Sequence, residues 1–189
     1  MAVLPEFVTT PRLTLRRWRP EDTPILSSAV HTNIEHLGPW MAWIAFEPMT
    51  DADREDLIRA WHTDWANGGD AVYGAFRDDT AVAGCGLHRR TGPETLEIGY
   101  WVHTDHLHQG YAREIAAALT RAAFSIPGTR RVEIHHDKAN TRSQAIPEAL
   151  GFHFDGHTPD DIKAPAEVGI DCAWSMTLET WQSQREADP

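Results

Sequence analysis

The chain has 189 residues, of which 41% are hydrophobic, enough for a single globular domain with a sizeable core. Its formal net charge of −11 is spread along the chain, which argues against nucleic acid as a direct ligand, because neutralising phosphates requires a basic face. No apolar run approaches transmembrane length, and the start MAVLPEFVTTPRL lacks the basic and hydrophobic parts of a signal peptide, so a cytoplasmic protein without membrane contact is expected.

In chain order, residues 12–18 read as a strand with Leu13 and Leu15 on one face. Pro20, Glu21 and Asp22 open a helix that continues through Ile25, Leu26, Ala29 and Val30. The segment HLGPWMAWI that follows is apolar and aromatic but broken by Gly38 and Pro39. Its Trp40 and Trp43 either plug the core or line a substrate pocket. Thr50 caps a second helix with Asp51 and Asp53 near its positive end, and Leu57, Ile58, Trp61 and Trp65 mark its buried side. Asn67-Gly68-Gly69 stops it. Residues 71–76 and 80–88 form a hairpin about Asp78-Asp79. Gly84 and Gly86 in its second strand predict a bend or the close approach of another backbone.

The stretch from Glu94 to Phe124 is the centre of the reading. Leu96, Ile98, Tyr100 and Val102 alternate with Glu97, Gly99, Trp101 and His103, the period of a pleated strand. After LHQGYA the period changes, and Tyr111, Ile115, Leu119 and Ala122 make the buried stripe of an alanine-rich helix. A glycine at such a handover lets several N–H groups point one way at the positive end of the helix, which suits a phosphate or pyrophosphate; an ordinary strand–helix turn reads the same. Residues 131–136 form a further strand, and residues 141–150 a helix that Pro147 must deform and Gly151 ends. Two strands follow, one from Phe152 to Pro159 and one from Val168 to Leu178, and the residues after Trp181 read as a frayed tail. Cys85 and Cys172 fall in strands, as buried free thiols.

The element order predicts an α/β fold with a mixed sheet. That order, the loop LHQGYA and the string NTRSQAIPEALGF resemble the GNAT superfamily of acyl-CoA-dependent N-acyltransferases, over about residues 9–180 of one domain. Within it, TPRLTLRRW, GPWMAW and EIGYWV resemble the RimJ/RimL-like branch. The resemblance implies a central, mostly antiparallel sheet with a splayed parallel pair and helices on both faces. It implies acetyl-CoA as co-substrate and no metal. The family loop runs Gln or Arg, two residues, Gly, one residue, then Gly or Ala; Gly110 and Ala112 match and Leu107 departs. The amides of His108, Gln109, Gly110, Tyr111, Ala112 and Arg113 would hold the pyrophosphate. Trp101, Val102 and His103 would offer strand-edge groups to the pantetheine arm, and Asn140 would touch it from the neighbouring strand.

Acyl transfer to an amine needs a neutral amine, a polarised thioester carbonyl and a proton for the thiolate. Glu97 is the first choice of base, directly or through a water, with His135 and His136 as alternatives. An N–H near Val102 would stabilise the oxyanion. The acid often found seven residues after the family asparagine is replaced here by Pro147, whereas Ser143 matches the serine that the branch places three residues after it. His103, His106 and His108 are spaced closely enough to suggest a metal, but phosphate binding accounts for the loop better. The acceptor is either a protein N-terminal amine or a small-molecule amine. A non-catalytic acyl-CoA-binding domain is the rival reading, and monomer and homodimer both stay open.

Overall fold

The computed structural model describes residues 2–187. Eight strands form one sheet in the order β1-β2-β3-β4-β5-β6-β8-β7. They are β1 (Phe7–Thr9), β2 (Thr14–Arg17), β3 (Ala71–Arg77), β4 (Thr80–His88), β5 (Thr95–Val102), β6 (Arg131–Asp137), β7 (His153–Pro159) and β8 (Ile170–Thr177). Every neighbouring pair is antiparallel except β5 with β6. The fold is therefore the expected mixed sheet with a single parallel pair.

Helix α4 (Tyr111–Ser125) covers one face of the sheet. Its Ile115 and Leu119 are fully buried against Leu96, Ile98, Val132 and Ile134 of the central strands. Burying such a side chain stabilises the fold by about 1.5–3 kcal/mol, and truncating one to alanine costs about 2–5 kcal/mol. Ala116, Ala118 and Ala123 share that face and let the helix lie close to the sheet. On the opposite face, α1 (Thr23–His31) and α3 (Asp51–Ala66) pack Leu26, Val30 and Ile58 around Trp18 and Phe76. The Thr50 hydroxyl accepts the Asp53 N–H and caps α3, as its sequence predicts. Between these helices lie the single turn α2 (Ile34–Leu37) and a 3-10 turn, Ala42–Phe46.

Three expectations change. The short strand β1 precedes the predicted start of the fold, where Pro5 and Glu6 gave no alternation to read. The residues after Trp181 belong to helix α6 (Leu178–Ala187), fixed by a stack of Trp181 on Phe124 of α4 at 5.8 Å. Gly84 and Gly86 make room chiefly for side chains. A Cβ at Gly84 would lie 2.4 Å from the Trp101 indole nitrogen, and one at Gly86 would lie 2.7 Å from the His88 Nε2. Both rings lie flat on the sheet because these positions carry no side chain.

Candidate active site where two parallel strands part

Strands β5 and β6 pair only from Thr95–Glu97 against Arg131–Glu133. Beyond Glu97 they diverge, while β5 stays paired with β4 and β6 with β8. The His103 N–H donates to the Val82 carbonyl at 2.9 Å. Groups alternate sides along an antiparallel pair, so Trp101 also addresses β4, and Ile98, Tyr100 and Val102 turn their N–H and C=O groups to the gap. Of the three residues expected to offer strand-edge groups, Val102 has its N–H and C=O on the gap side. Trp101 turns its groups to β4, and the His103 N–H goes to Val82 while its carbonyl accepts the His106 N–H at 2.9 Å. Unpaired backbone at a buried gap demands a polar partner, and an amide-bearing ligand lying along it would satisfy it.

The loop before α4 sits at the wide end of this gap. Gly110 is its N-cap residue with φ 77°, and His108 has φ 58°, both in the left-handed region. The first helical bond runs from the Glu114 N–H to the Gly110 carbonyl at 3.1 Å. The amides of Tyr111, Ala112 and Arg113 therefore have no acceptor within the helix, and among the described residues no side chain caps them. These N–H groups face outward at the positive end of a 15-residue helix, a geometry that fits a pyrophosphate. Gln109 joins the loop through its side-chain amide, which donates to the Asp105 carbonyl at 3.4 Å.

Across the gap stands α5 (Thr141–Ala149). Asn140 caps it, its Oδ1 accepting the Ser143 N–H at 3.2 Å. The Tyr100 hydroxyl reaches over from β5 to the Ser143 Oγ at 3.2 Å and the Ser143 carbonyl at 3.3 Å. Pro147 offers that carbonyl no N–H, so the tyrosine takes the place of the missing helical donor. Burial pushes the Tyr100 hydroxyl up to about 12, opposed by its bond to Ser143, so it remains a donor at neutral pH. Tyr100 lines this candidate site and was missed by sequence reasoning. It was legible only as one more apolar position in an alternating strand.

On the α1/α3 face the gap opens into a cavity of about 710 Å³. Trp40, Trp43, Phe46, Trp61 and Trp101 line it. Trp40 is half-buried and Trp43 is 36% exposed, so neither plugs the core. An ion pair between Glu47 and Arg54 at 2.5 Å, both side chains 2% exposed, anchors the end of this aromatic segment on α3. The loop between β7 and β8 closes the other side, through Asp160, Asp161 and Glu167. It is tied to the aromatic segment by the Ala166 N–H donating to the Pro39 carbonyl at 3.0 Å.

The candidate bases all line this cavity, in different states. Glu97 is in an ion pair with Arg90 at 2.6 Å. His135 donates from Nδ1 to Asp171 at 2.8 Å and lies 3.4 Å from Glu133 through Nε2. The bond to Asp171 outweighs burial and, with the nearby carboxylates, holds this imidazole protonated up to about 9. His136 accepts the Trp174 indole N–H on Nε2 at 3.1 Å and donates from Nδ1 to the Asp137 carbonyl. It is a structural histidine with no lone pair to spare. The His103 Nδ1 accepts the Asp105 N–H and its Nε2 reaches Thr32, so it caps a turn. Among the described residues no three His, Cys, Asp or Glu side chains are grouped to hold a metal ion.

The family model for an acetyltransferase (GNAT) domain matches residues 12–153. YdaF of Bacillus subtilis (strain 168), named as a candidate ribosomal N-acetyltransferase, is 26% identical over 174 residues, 92% of this chain and 95% of its own. The fold is shared with RimL, the ribosomal L7/L12 alpha-N-protein acetyltransferase solved with coenzyme A, at a TM-score of 0.82 and 16% identity over 95% of this chain and 99% of that one. It is shared as well with the microcin C7 self-immunity acetyltransferase MccE, solved with acetyl-CoA and AMP, at a TM-score of 0.81 and 17% identity, covering 89% and 93%.

Proposed function

The chain belongs to the GNAT acetyltransferase family and transfers an acetyl group from acetyl-CoA to an amine; on that premise we propose the site and the order of events. Both substrates meet in one ternary complex at the parting of β5 and β6, and the amine attacks the thioester directly. The observation that carries this reading is the Tyr100–Ser143 contact, which sets two hydroxyls between the anion-binding loop and the aromatic cavity.

The amides of His108, Gln109, Gly110, Tyr111, Ala112 and Arg113 hold the pyrophosphate. Val102, with its neighbours Ile98 and Tyr100, presents backbone groups to the pantetheine arm, and the Asn140 amide group faces the same arm. Bound acetyl-CoA supplies the activated thioester. The Val102 N–H donates a hydrogen bond to the carbonyl oxygen as negative charge develops on it, as preorganised amides do. Glu97 draws the acceptor's ammonium to the sheet and opens the way out for its proton, directly or through a water. Ser143, backed by Tyr100, gives a proton to the departing thiolate.

Trp40 and Trp43 hold the acceptor, a primary amine that carries an apolar body. Of the two acceptor classes, a protein N-terminal amine is favoured. The loop that lines the cavity with Asp160 and Asp161 also exposes Ile162 and Val168, and Phe46 opposite is 73% exposed, which gives a polypeptide apolar ground to lie on. The names of YdaF and RimL point the same way, and the AMP in MccE keeps a small-molecule amine as the second reading. No described helix is long and apolar enough to cross a membrane, and a cytoplasmic location is part of the proposal. A screen of free-N-terminal peptides and small amines with acetyl-CoA, read as thiol release, tests the reading. Amine-dependent release is expected. Release that no amine accelerates would mark hydrolysis or simple binding instead.

A further inference from the structure

Strand β4 ends at His88, whose Nδ1 lies 2.7 Å from the Asp70 Oδ2. Asp70 is itself fixed. Its Oδ1 accepts the Arg89 N–H at 2.8 Å, and its own N–H donates to Asp64 at 2.8 Å. Burial alone would raise the Asp70 carboxyl, but the hydrogen bonds from His88 and Arg89 outweigh it and hold the group ionised. A carboxylate only accepts, so the proton of the neutral imidazole belongs on Nδ1 and the lone pair on Nε2.

His88 lines the cavity together with Gly86, Glu97 and Gly99. The Nε2 lies over the paired glycines Gly86 and Gly99, where added Cβ atoms would stand 2.7 and 3.2 Å from it. Gly99 directly precedes Tyr100 on β5, and His88, Tyr100 and Ser143 all line this one cavity. Among the described residues the His88 Nε2 has no hydrogen-bond partner. The other cavity bases are engaged: Glu97 by Arg90, both His135 nitrogens by carboxylates, and the His136 Nε2 by Trp174.

We propose that His88, positioned by Asp70, receives the proton of the attacking amine on Nε2, directly or through one water. The inference rests on the acetyl-transfer reading above and adds the base to it. As the amine nitrogen bonds to the carbonyl carbon, its proton passes to Nε2. The carbon–sulfur bond then breaks, and the thiolate takes a proton from the Ser143–Tyr100 pair. His88 afterwards returns its proton to water, which also restores the pair. Before the attack, Glu97 holds the incoming ammonium, which loses one proton to water along the exit that Glu97 opens; the neutral amine that remains is the nucleophile. The titratable and charged groups around His88 are Asp70 beside β3, its cross-strand partner Glu97 on β5, Arg90 just beyond β4 and, one strand further, Glu133 and His135 on β6.

The test uses the full chain, acetyl-CoA and phenylalaninamide as the probe amine. His88→Gln keeps a donor for Asp70 and is expected to fold with an unchanged affinity for acetyl-CoA. Its kcat should fall by roughly 100-fold or more, and the acidic limb of the pH–rate profile should vanish. Glu97→Gln should raise the KM for the amine and keep that limb. In His88→Ala, added imidazole should restore part of the rate, which a structural role would not allow. Nitrogen-15 NMR of labelled histidine should place the neutral ring's proton on Nδ1 without any turnover. Wild-type kcat with the limb intact in His88→Gln, or a proton on Nε2 in the neutral ring, would overturn the proposal. Failure of the parent reading looks different: wild-type protein would release no amine-dependent thiol, and both would fall.

Discussion

The Tyr100 hydroxyl stands 3.2 Å from the Ser143 Oγ and 3.3 Å from its carbonyl oxygen, so the diverging strand β5 is latched to the first turn of α5. The latch exists because Pro147 cannot donate to that carbonyl. A Tyr100 O–H shared between the carbonyl and the Oγ needs no donor from Ser143, whose own O–H is then free to point at whatever lies in the gap.

A positioned hydroxyl suffices for a thiolate, which is a fair leaving group. Ser143→Ala should therefore slow single-turnover thiol release about 10- to 100-fold with little change in either KM, because the bond is made mainly in the transition state. Tyr100→Phe should do the same and also loosen α5. Pro147→Ala would give the carbonyl a helical donor and release Tyr100, lowering kcat while leaving or raising the melting temperature. Wild-type single-turnover rates in Ser143→Ala would leave the thiolate to water.

Gly110 holds a left-handed φ of 77°, which a β-branched residue adopts at a cost of about 1–3 kcal/mol. Its relief would turn the loop amides away from their common focus. Gly110→Val should weaken coenzyme A binding at least about 10-fold in calorimetric titration, with the fold retained in circular dichroism. An unchanged affinity would remove the pyrophosphate from this loop.

Trp40 and Trp43 line the cavity rather than fill the core. Alanine at either position should raise the acceptor KM and leave acetyl-CoA affinity alone. A core tryptophan would instead cost about 3–5 kcal/mol of stability. Thermal melts beside steady-state kinetics separate the two, and a large fall in melting temperature would refute the acceptor role.

His135 ties fold stability to pH. Its hydrogen bond to Asp171 holds it protonated up to about 9, above the roughly 6.5 of an unfolded histidine. The ion pair therefore stabilises fully below about pH 6.5 and fades as pH rises through 9. His135→Gln should lower the melting temperature by about a few degrees at pH 6 and hardly at pH 10. Equal losses at both pH values would show that packing, not charge, is what the ring contributes.

Much of the sheet and its helices was legible because strands such as β5 and β8 alternate in sequence and helices α3 and α5 carry a cap or stop that the sequence announces, Thr50 and Gly151. The anion loop was legible through Gly110. Tyr100 was not, because nothing local shows that a strand leaves its partner after Glu97; that needs the register of β5 on β6. His88 was hidden for the same reason. Its carboxylate lies eighteen residues upstream, and only the hairpin brings the two together. The glycines beneath the rings looked like backbone devices, since a sequence cannot say which neighbour's side chain will lie across them. Helix α6 was missed because its sequence is polar and its one anchor, Trp181, finds Phe124 only in the folded chain.

The most direct measurement is a crystal structure of this chain with coenzyme A. The pyrophosphate should lie on the amides of residues 108–113 and the pantetheine amides against Val102 and Asn140. The sulfur should come to rest in the gap, within hydrogen-bonding reach of the Ser143 hydroxyl. Coenzyme A bound elsewhere on the sheet, or its sulfur turned away from Ser143 and the aromatic cavity, would contradict the account.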